Sequence, residues 1–443
     1  MKPGARIQAA IELLDQIGAS TVPADRLVGN YFRSRRYAGS KDRRAVTEMV
    51  YDILRRRGEY AWIAGGSSGS DGSDGRPLAL AQLISQPAMD AGAIAALFDG
   101  TKYSPPELNA EEQALLDSIK NSVESNGENN GEAPPAWVTG NYPEWLAPGL
   151  QRRFGADMDR EMAAMQGRAG VDLRVNVLKT TAEKAAAKLA EGGMATTPGT
   201  LAPDALRLDD RRSLANHPLY QSGVIEIQDE GSQLVALLCA AQPGQQVVDY
   251  CAGAGGKSLA LAAGMNNKGQ IFAFDNNPRR LRPLRERLQR AGARNIQVHA
   301  LADAAAIAAL GNLKGKVDRL LLDVPCTGSG AWRRNPESKW RLTPEQLAQY
   351  AATQDDILNR AAPLVAPGGR LIYATCSILV DENEDRVDAF LAAHADFDVM
   401  PIAQVWDDVL ESACPCDDPY LRLTPAQHGT DGFFVAVLQR KQT

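Results

Sequence analysis

The stretch QQVVDYCAGAGGKSLA, residues 245–260, decides the fold class of this 443-residue chain. Its apolar run predicts a short buried strand, and the glycines after it predict a tight turn into a helix that begins near Lys257. In sheets built from such strand–turn–helix units, ligands bind at the carboxyl ends of the strands. The stretch therefore predicts a parallel α/β sheet and the position of a binding site.

Strands and helices alternate from this stretch to the C-terminus. The strand-like runs are QIFAFD, IQVHALAD, DRLLLD and RLIYAT, followed after the turn HGTDG by FFVAVLQRK. This alternation is typical of a doubly wound parallel sheet, and we expect FFVAVLQRK to be a late edge strand. A helix is predicted near 344–365, where Thr343 and Gln346 can form a capping box. The Pro-Gly-Gly at 367–369 is expected to close it.

Two other regions precede this domain. Residues 1–135 have apolar positions at helical spacing, interrupted by the Gly/Ser-rich loop 64–77 and ending in a linker at 124–135. Residues 136–235 have a strand–helix–strand order around VDLRVNVL, which predicts a small α/β module. Three domains are expected, with 236–443 as the third.

Composition favours a soluble, cytoplasmic protein. The chain has no run of about eighteen uncharged apolar residues, which a membrane span would need. Its N-terminal segment predicts an amphipathic helix rather than a secretory signal. The six cysteines are sparse and indicate free thiols in a reducing compartment. Cys414 and Cys416 form a CPC pair, but without a second pair at ligand spacing we expect no metal site.

The charge distribution favours a polyanionic partner, although the net charge is −6. Arginines cluster at 33–36, at 55–57, at 333–341 and in RRLRPLRERLQR, residues 279–290. The guanidinium group matches phosphate oxygens in geometry. A solvated helix face is the alternative for any one cluster, and the clusters together favour nucleic acid.

The ends of the first three predicted strands carry groups that suit a nucleoside. The glycines of CAGAGGK let the backbone approach a ligand closely. Asp275 ends the second strand and can accept hydrogen bonds from both ribose hydroxyls, and Asp303 can reach the adenine edge. The turn lacks the spacing of a dinucleotide fingerprint and of a P-loop. A tight turn without a ligand is the alternative, and the three strand ends together favour a nucleoside site.

Two cysteines follow the ends of neighbouring predicted strands. Cys326 lies in DVPCTGSG and Cys376 lies in YATCS. Parallel neighbours would bring both thiols to the crevice that holds the cofactor. An isolated buried cysteine is usually a small core residue, and Cys239, predicted to lie in the middle of a helix, is interpreted in that way. For the pair, catalysis is favoured over packing.

Thiols at such a site suit methylation of carbon 5 of a cytosine. That carbon is a poor nucleophile, and a thiolate that adds to carbon 6 breaks the aromaticity and leaves an enamine at carbon 5. An acid such as Asp323 can protonate or hydrogen bond ring nitrogen 3. Lys257 can supply the positive charge that lowers a thiol pKa. A base must then remove the proton from carbon 5.

In order and spacing, DYCAGAGGK, FDNNP, DVPCTGSG and YATCS resemble the Nop/Sun RNA 5-methylcytosine methyltransferases, and most of all the RsmB (Sun/Fmu)-like branch. VDLRVN, IQDEGSQL and LRLTPAQHGTDGFF match as well, so the resemblance covers about residues 140–440. It implies a class I, Rossmann-like S-adenosylmethionine methyltransferase domain. It also implies an RRM-like α/β module before that domain and a NusB-like, RNA-binding helical domain at the N-terminus.

The resemblance also implies roles for single residues. Cys376 would be the nucleophile on carbon 6, and Cys326 would assist release of the covalent product. S-adenosyl-L-methionine would be held by Cys251, Ala252, Gly253, Ala254, Gly255, Gly256, Lys257, Asp275, Asp303 and Asp323. The usual loop of the family reads CAAPGGK, and here Gly253-Ala254 replaces Ala-Pro. Binding is expected to survive this change.

The expected partner is RNA, and small-subunit ribosomal RNA is favoured. Bases must leave their stack to reach such a site, so a cytosine in a single strand or a loop is expected, and the chain is expected to act as a monomer away from membranes. DNA cytosine methyltransferases use a single cysteine, so the second one favours RNA. The alternatives are a transfer RNA substrate and a non-catalytic RNA-binding assembly factor. A nicotinamide oxidoreductase is disfavoured by the missing GxGxxG turn.

Overall fold

In a computed structural model of the protein, the residues described are 1–65, 75–123, 133–210 and 212–442. Most of the expected loop 64–77 and of the expected linker 124–135 lies outside them. Within the described part of the chain, no helix is long and apolar enough to cross a lipid bilayer.

The chain divides into two compact units. One consists of Met1–Arg168 together with Trp332–Leu342, and the other of Ala169–Ala331 together with Thr343–Thr443. The α-helices are α1 (Pro3–Gly18), α2 (Ala24–Ser34), α3 (Ser40–Arg55), α4 (Arg57–Ile63), α5 (Gly75–Ile84), α6 (Ala91–Ala95), α7 (Ala110–Val123), α8 (Ala136–Thr139), α9 (Ala147–Phe154), α10 (Met158–Gln166), α11 (Ala182–Glu191), α12 (Pro218–Gln221), α13 (Glu230–Leu237), α14 (Gly256–Gly264), α15 (Pro278–Ala291), α16 (Ala304–Leu313), α17 (Pro336–Arg341), α18 (Pro344–Ala361), α19 (Glu384–Ala393), α20 (Ile402–Asp407) and α21 (Pro425–His428). The strands are β1 (Val171–Val175), β2 (Thr196–Pro198), β3 (Ala205–Leu208), β4 (Ile225–Ile227), β5 (Gln246–Asp249), β6 (Gln270–Asp275), β7 (Ile296–Ala300), β8 (Val317–Asp323), β9 (Val365–Thr375), β10 (Phe397–Met400), β11 (Leu421–Leu423) and β12 (Phe433–Arg440).

The first unit is helical. Its core is built from apolar positions at helical spacing, and α1 buries Ile7, Ile11 and Leu14 as their spacing predicts. The short helix α17 belongs to this unit although it lies between β8 and β9 in the sequence. It packs against α3, where the indole Nε1 of Trp340 donates to the Leu54 carbonyl at 2.8 Å.

The second unit begins with a small antiparallel sheet. Its strand order is β2-β3-β1-β4, and α11 packs on it through buried Ala185 and Leu189. Thr181 caps α11 by accepting from the Lys184 amide, as its position before the helix predicts. The strand β2 has only three residues and was not predicted, because so short a run carries no period of its own.

The large sheet has the order β10-β12-β9-β8-β5-β6-β7, with β11 paired to β12. The five strands from β9 to β7 are parallel, and β12 runs antiparallel to both of its neighbours. The predicted α/β class, with a Rossmann-like sheet after a small α/β module and a helical region, is confirmed. Because the chain proceeds from β5 toward β7 on one side and from β8 toward β9 on the other, the topological switch point lies between β5 and β8.

Three expectations about single elements were wrong. The strand β12 lies between β9 and β10 rather than at an edge, and its continuous apolar run is typical of a central strand buried on both faces. The helix α18 ends at Ala361 and continues as a 3-10 turn over Ala362–Leu364, and the Pro-Gly-Gly expected to close it lies inside β9. Cys239 follows the end of α13 rather than lying in the middle of a helix, but it is fully buried.

Candidate active site

The loop after β5 is shaped by two glycines with left-handed backbone. Gly253 has φ 53° and Gly255 has φ 81°, a region that residues with a Cβ rarely adopt. A Cβ at Gly255 would also collide with the Leu284 side chain of α15. Since α14 begins directly after Gly255, the loop brings the N-terminus of a helix to the end of β5, with its amides available to a ligand.

Asp275 anchors this loop from the end of β6. Its side chain is almost fully buried and accepts from the amides of Gly253 at 2.9 Å and Asn277 at 2.8 Å. The guanidinium group of Arg280 lies 3.6 Å from the same carboxylate. Asp303, after β7, is exposed at the N-terminus of α16. The two predicted carboxylates therefore differ, since Asp275 holds the loop while Asp303 faces solvent.

The rest of the predicted loop is held mainly through its backbone. The Ala252 amide donates to the Phe274 carbonyl at 2.8 Å, and Arg287 donates to the Ala254 carbonyl at 2.6 Å. Cys251 carries a thiol whose pKa burial raises far above its ordinary value. That thiol is therefore a poor nucleophile.

A buried carboxylate that the sequence did not single out lies beneath the loop. Burial raises the pKa of Asp249 to about 7, and the negative charge of Asp323 adds to the effect. The hydroxyl of Ser258 donates to its Oδ2 at 2.5 Å. Its Oδ1 is buried and has no hydrogen-bond partner among the described residues. The sequence signal was only that Asp249 ends a strand, which many structural aspartates do.

Across the switch point, Lys257 and Asp323 form an ion pair. The ammonium Nζ lies 2.8 Å from Asp323 Oδ2, and it is 5.8 Å from the centre of the Phe433 ring. Burial lowers the pKa of Lys257, but the Asp323 carboxylate outweighs it and the pKa is raised overall. Lys257 is therefore held as an ammonium group between the loop and the end of β8.

The two predicted cysteines meet at the ends of β8 and β9. The Sγ atoms of Cys326 and Cys376 lie 3.4 Å apart, although fifty residues separate them in sequence. The hydrogen bond with Cys376, and after it burial, raises the pKa of the Cys326 thiol well above its ordinary value. Cys326 is therefore the thiol that keeps its proton, and it can donate to Cys376.

Sequence reasoning also missed the residues behind the two thiols. Glu382 and Asn383 are buried and hydrogen bond the loops that carry Cys326 and Cys376, respectively. In the sequence they belong to DENED, a run that is indistinguishable from an ordinary acidic helix start. The predicted residues are thus brought to one edge of the sheet, and a second set supports them from behind.

Two family models match the chain between residues 142 and 439. The model described as 16S rRNA methyltransferase RsmB/F matches residues 236–439. The model described as the ferredoxin-like domain of RsmF/B-like methyltransferases matches residues 142–215, the region of the small antiparallel sheet. Together they contain β1 to β3 of the small sheet, nearly all of the large sheet, the loop after β5, and both Cys326 and Cys376.

Curated relatives match over more of the chain. A probable ribosomal RNA small subunit methyltransferase B of Synechocystis sp. is 31% identical over 432 residues, which cover 90% of this chain and 91% of the relative. The corresponding probable methyltransferase B of Bacillus subtilis is 32% identical and covers 68% of this chain and 66% of its own length. The ribosomal RNA small subunit methyltransferase B of Erwinia tasmaniensis is 27% identical and covers 92% and 93%.

Solved structures share the architecture. The crystal structure of PH0851 superposes with a TM-score of 0.76 at 25% identity and covers 99% of both chains. A methyltransferase homologue from Pyrococcus horikoshii gives 0.58 at 27% identity and covers 69% of this chain and 97% of its own. The structure of NSun6 from the same organism with SFG gives 0.59 at 20% identity, covers 68% and 99%, and is alike in fold alone.

Proposed function

The chain belongs to the RsmB/F family of methyltransferases, and from this premise we propose that it methylates carbon 5 of a cytosine in small-subunit ribosomal RNA. The reaction would pass through a covalent adduct between a cysteine and the base. One observation carries the proposal. Two thiols lie 3.4 Å apart at the switch point of the sheet, beside an ammonium–carboxylate pair and a glycine loop with the features of a nucleoside site.

The glycine loop after β5 has features that suit S-adenosyl-L-methionine. The left-handed glycines turn the loop so that α14 begins at the end of β5, and the orphaned Oδ1 of Asp249 suits a cationic ligand. The loop residues 251–257 with Asp275, Asp303 and Asp323 would hold it, Asp275 indirectly by fixing Gly253. When bound, this cofactor supplies an electrophilic methyl carbon. The chain's own residues must then make carbon 5 nucleophilic.

Cys376 is the proposed nucleophile. Cys326 keeps its proton and can donate it in a hydrogen bond to Cys376, which stabilises the Cys376 thiolate. The thiolate forms a bond from sulfur to carbon 6 of the cytosine, and the electron pair of the 5,6 double bond becomes available at carbon 5. Lys257 and Asp323, paired at 2.8 Å, would supply the proton or hydrogen bond that ring nitrogen 3 needs as charge develops there.

Cys326 is the proposed base for product release. Its pKa is raised first of all by its partner Cys376. Once Cys376 is a neutral thioether, that cause is gone and Cys326 ionises more easily, losing its proton to solvent. The Cys326 thiolate then takes the proton from carbon 5. The double bond reforms, the sulfur–carbon bond breaks, and Cys376 leaves as a thiolate.

The substrate assignment is drawn from named relatives, which are ribosomal RNA small subunit methyltransferases. A cytosine in duplex RNA is not accessible to a thiol, so the target would lie in a loop or be flipped from its stack. The helical first unit, predicted to be an RNA-binding domain, would contribute contacts to the RNA. So would the small antiparallel sheet, which belongs to the predicted RRM-like module.

The test uses RNA in which cytosine is replaced by 5-fluorocytosine. Fluorine cannot leave as a cation, so an adduct at carbon 6 should persist and shift the protein on a denaturing gel. With cofactor and small-subunit RNA, the wild type and Cys326→Ala should shift while Cys376→Ala should not. A wild type that binds cofactor but forms no adduct with this RNA would refute the proposal. An adduct with transfer RNA alone would refute only the ribosomal part.

A further inference from the structure

Two neighbouring polar residues, Glu382 and Asn383, lie behind the thiol pair. Both side chains are almost fully buried, with 0% and 1% exposed. They stand between the end of β9 and the start of α19. The phenol of Tyr373, in β9, donates to the Glu382 carbonyl at 2.5 Å. This short segment is therefore fixed to the sheet that carries the cysteines.

Glu382 holds the residues on both sides of Cys326. Its carboxylate accepts from the Thr327 amide at 2.9 Å and from the Thr327 hydroxyl at 2.5 Å. It also accepts at 3.0 Å from the side-chain amide of Gln354, and the same Gln354 nitrogen donates to the Pro325 carbonyl at 3.0 Å. The backbone before and after Cys326 is thus tied, directly or through one side chain, to a single buried carboxylate.

Asn383 does the same for Cys376. Its Oδ1 accepts from the Thr375 hydroxyl at 2.6 Å, and its Nδ2 donates to the Ser377 carbonyl at 3.0 Å. These residues flank Cys376 on either side. An amide that both accepts and donates can make this pair of bonds, whereas a carboxylate can only accept.

The two loops are also joined to each other. The hydroxyls of Ser329 and Ser377 lie 2.9 Å apart, and the Gly330 amide donates to the Cys376 carbonyl at 2.9 Å. Both bonds reach the Cys326 loop beyond Thr327, at Ser329 and Gly330. The backbone next to Cys326 itself is held by Glu382.

We propose that Glu382 and Asn383 form a clamp with two arms, in which Glu382 positions Cys326 for product release and Asn383 positions Cys376 for addition to the base. Both are positioning residues, because their polar atoms are taken up by the loops and their side chains are buried. The division into two steps rests on the proposed function. The positioning itself does not.

The first experiment separates the two arms. With 5-fluorocytosine RNA, Asn383→Asp should slow adduct formation about tenfold, since small displacements of a reacting group are costly, and Glu382→Gln should leave it within about twofold. With ordinary RNA, Glu382→Gln should accumulate adduct and turn over about tenfold more slowly, as Cys326→Ala should, while Asn383→Asp should accumulate none.

The matched control is Glu384→Gln, which removes a neighbouring carboxylate that binds Arg422 and neither cysteine loop. It should leave both steps as in the wild type. If Glu382 and Asn383 only stabilised the fold, each of the two variants would lower the rates of adduct formation and product release together, in parallel with its loss of thermal stability. That result would overturn the division into arms.

The second experiment needs no RNA. Phenylarsine oxide bridges two thiols that are held close together, with loss of water. In a Cys414→Ser/Cys416→Ser background, which removes the other close thiol pair, Glu382→Gln and Asn383→Asp should each weaken its binding about tenfold. Unchanged binding in both variants would overturn the clamp. A wild type that binds the arsenical but forms no RNA adduct would instead refute the proposed function, and the arsenical affinities would still decide the clamp.

Discussion

The molecule contains two pairs of close thiols, and their surroundings differ. Cys326 and Cys376 lie 3.4 Å apart at the carboxyl ends of β8 and β9, near the Lys257–Asp323 ion pair. Cys414 and Cys416 lie 3.8 Å apart in the segment between α20 and β11.

The two thiols of the second pair lie close together because the residues are near each other in the sequence. Its members are two residues apart, they pack against the apolar core, and Cys416 donates to the Tyr420 carbonyl at 3.5 Å. Burial, and after it Cys414, raises the pKa of Cys416 to about 12. Proximity alone therefore does not distinguish the two pairs. The first pair differs in lying near an ion pair and the glycine loop after β5.

The most direct test of the difference between the two pairs removes one thiol from each. Cys376→Ala should lower methyl transfer to RNA by at least about a thousandfold, because loss of a nucleophile removes the covalent route. Cys416→Ala should leave it within about twofold. The measurement is incorporation of labelled methyl groups into small-subunit RNA. Comparable losses in both variants would mean that the two pairs do not differ in function.

The next largest effect is expected at the ion pair. Asp323→Asn should lower the rate of methyl transfer about a hundredfold, because the residue proposed to act at ring nitrogen 3 is lost and Lys257 loses its partner. Single-turnover kinetics with bound RNA measure this step. Asp318→Asn, at the other end of β8, is the matched control, and a rate equal to that of the wild type in Asp323→Asn would contradict the assignment.

A smaller effect is expected where the loop backbone is left-handed. Gly255→Ala should weaken binding of S-adenosylmethionine about tenfold or more, because it strains φ 81° and collides with Leu284. Calorimetric titration measures the affinity. Gly264→Ala, where a Cβ meets no atom within 4 Å, should bind as the wild type does. Equal affinities in the two variants would show that cofactor binding does not need the left-handed backbone at Gly255.

The smallest effect concerns the pH dependence of thiol labelling. Thiolates react with iodoacetamide and thiols do not, so a raised pKa shifts labelling to higher pH. Burial raises the pKa of Cys416 to about 12, so it should remain mostly unlabelled at pH 8, and its labelling rate should rise with pH as long as the protein stays folded. Peptide mapping by mass spectrometry follows each cysteine. Full labelling of Cys416 near pH 8, in folded protein, would contradict the buried environment of this pair.

Much of the large sheet could be predicted because its units are local. Most of its strands are rich in apolar residues, several of its turns carry glycine or proline, and Thr343 and Gln346 form the capping box that their spacing predicts. The position of β12 could not be obtained in this way. Whether a strand pairs with one neighbour or two depends on residues distant in sequence, such as β9 and β10.

The residues of the candidate site likewise divide into those that the sequence predicted and those that it did not. Gly255, Asp275, Cys326 and Cys376 were visible because they stand at strand ends, where parallel sheets gather their ligands. The roles of Asp249, Glu382 and Asn383 were not visible. Their importance comes from burial and from partners far away in the chain, and a buried acid looks like an exposed one in a sequence.

By itself, the sequence determined the class of fold, the family and the residue types available for the chemistry, because hydrophobic period, turn residues and motif spacing are local properties. The tertiary structure decided the distance between the two thiols, the pairing of Lys257 with Asp323, and the buried clamp behind them. These depend on how strands fifty or more residues apart align in one sheet. Hydrogen bonds and pKa shifts arise only when that alignment excludes water from the groups it brings together.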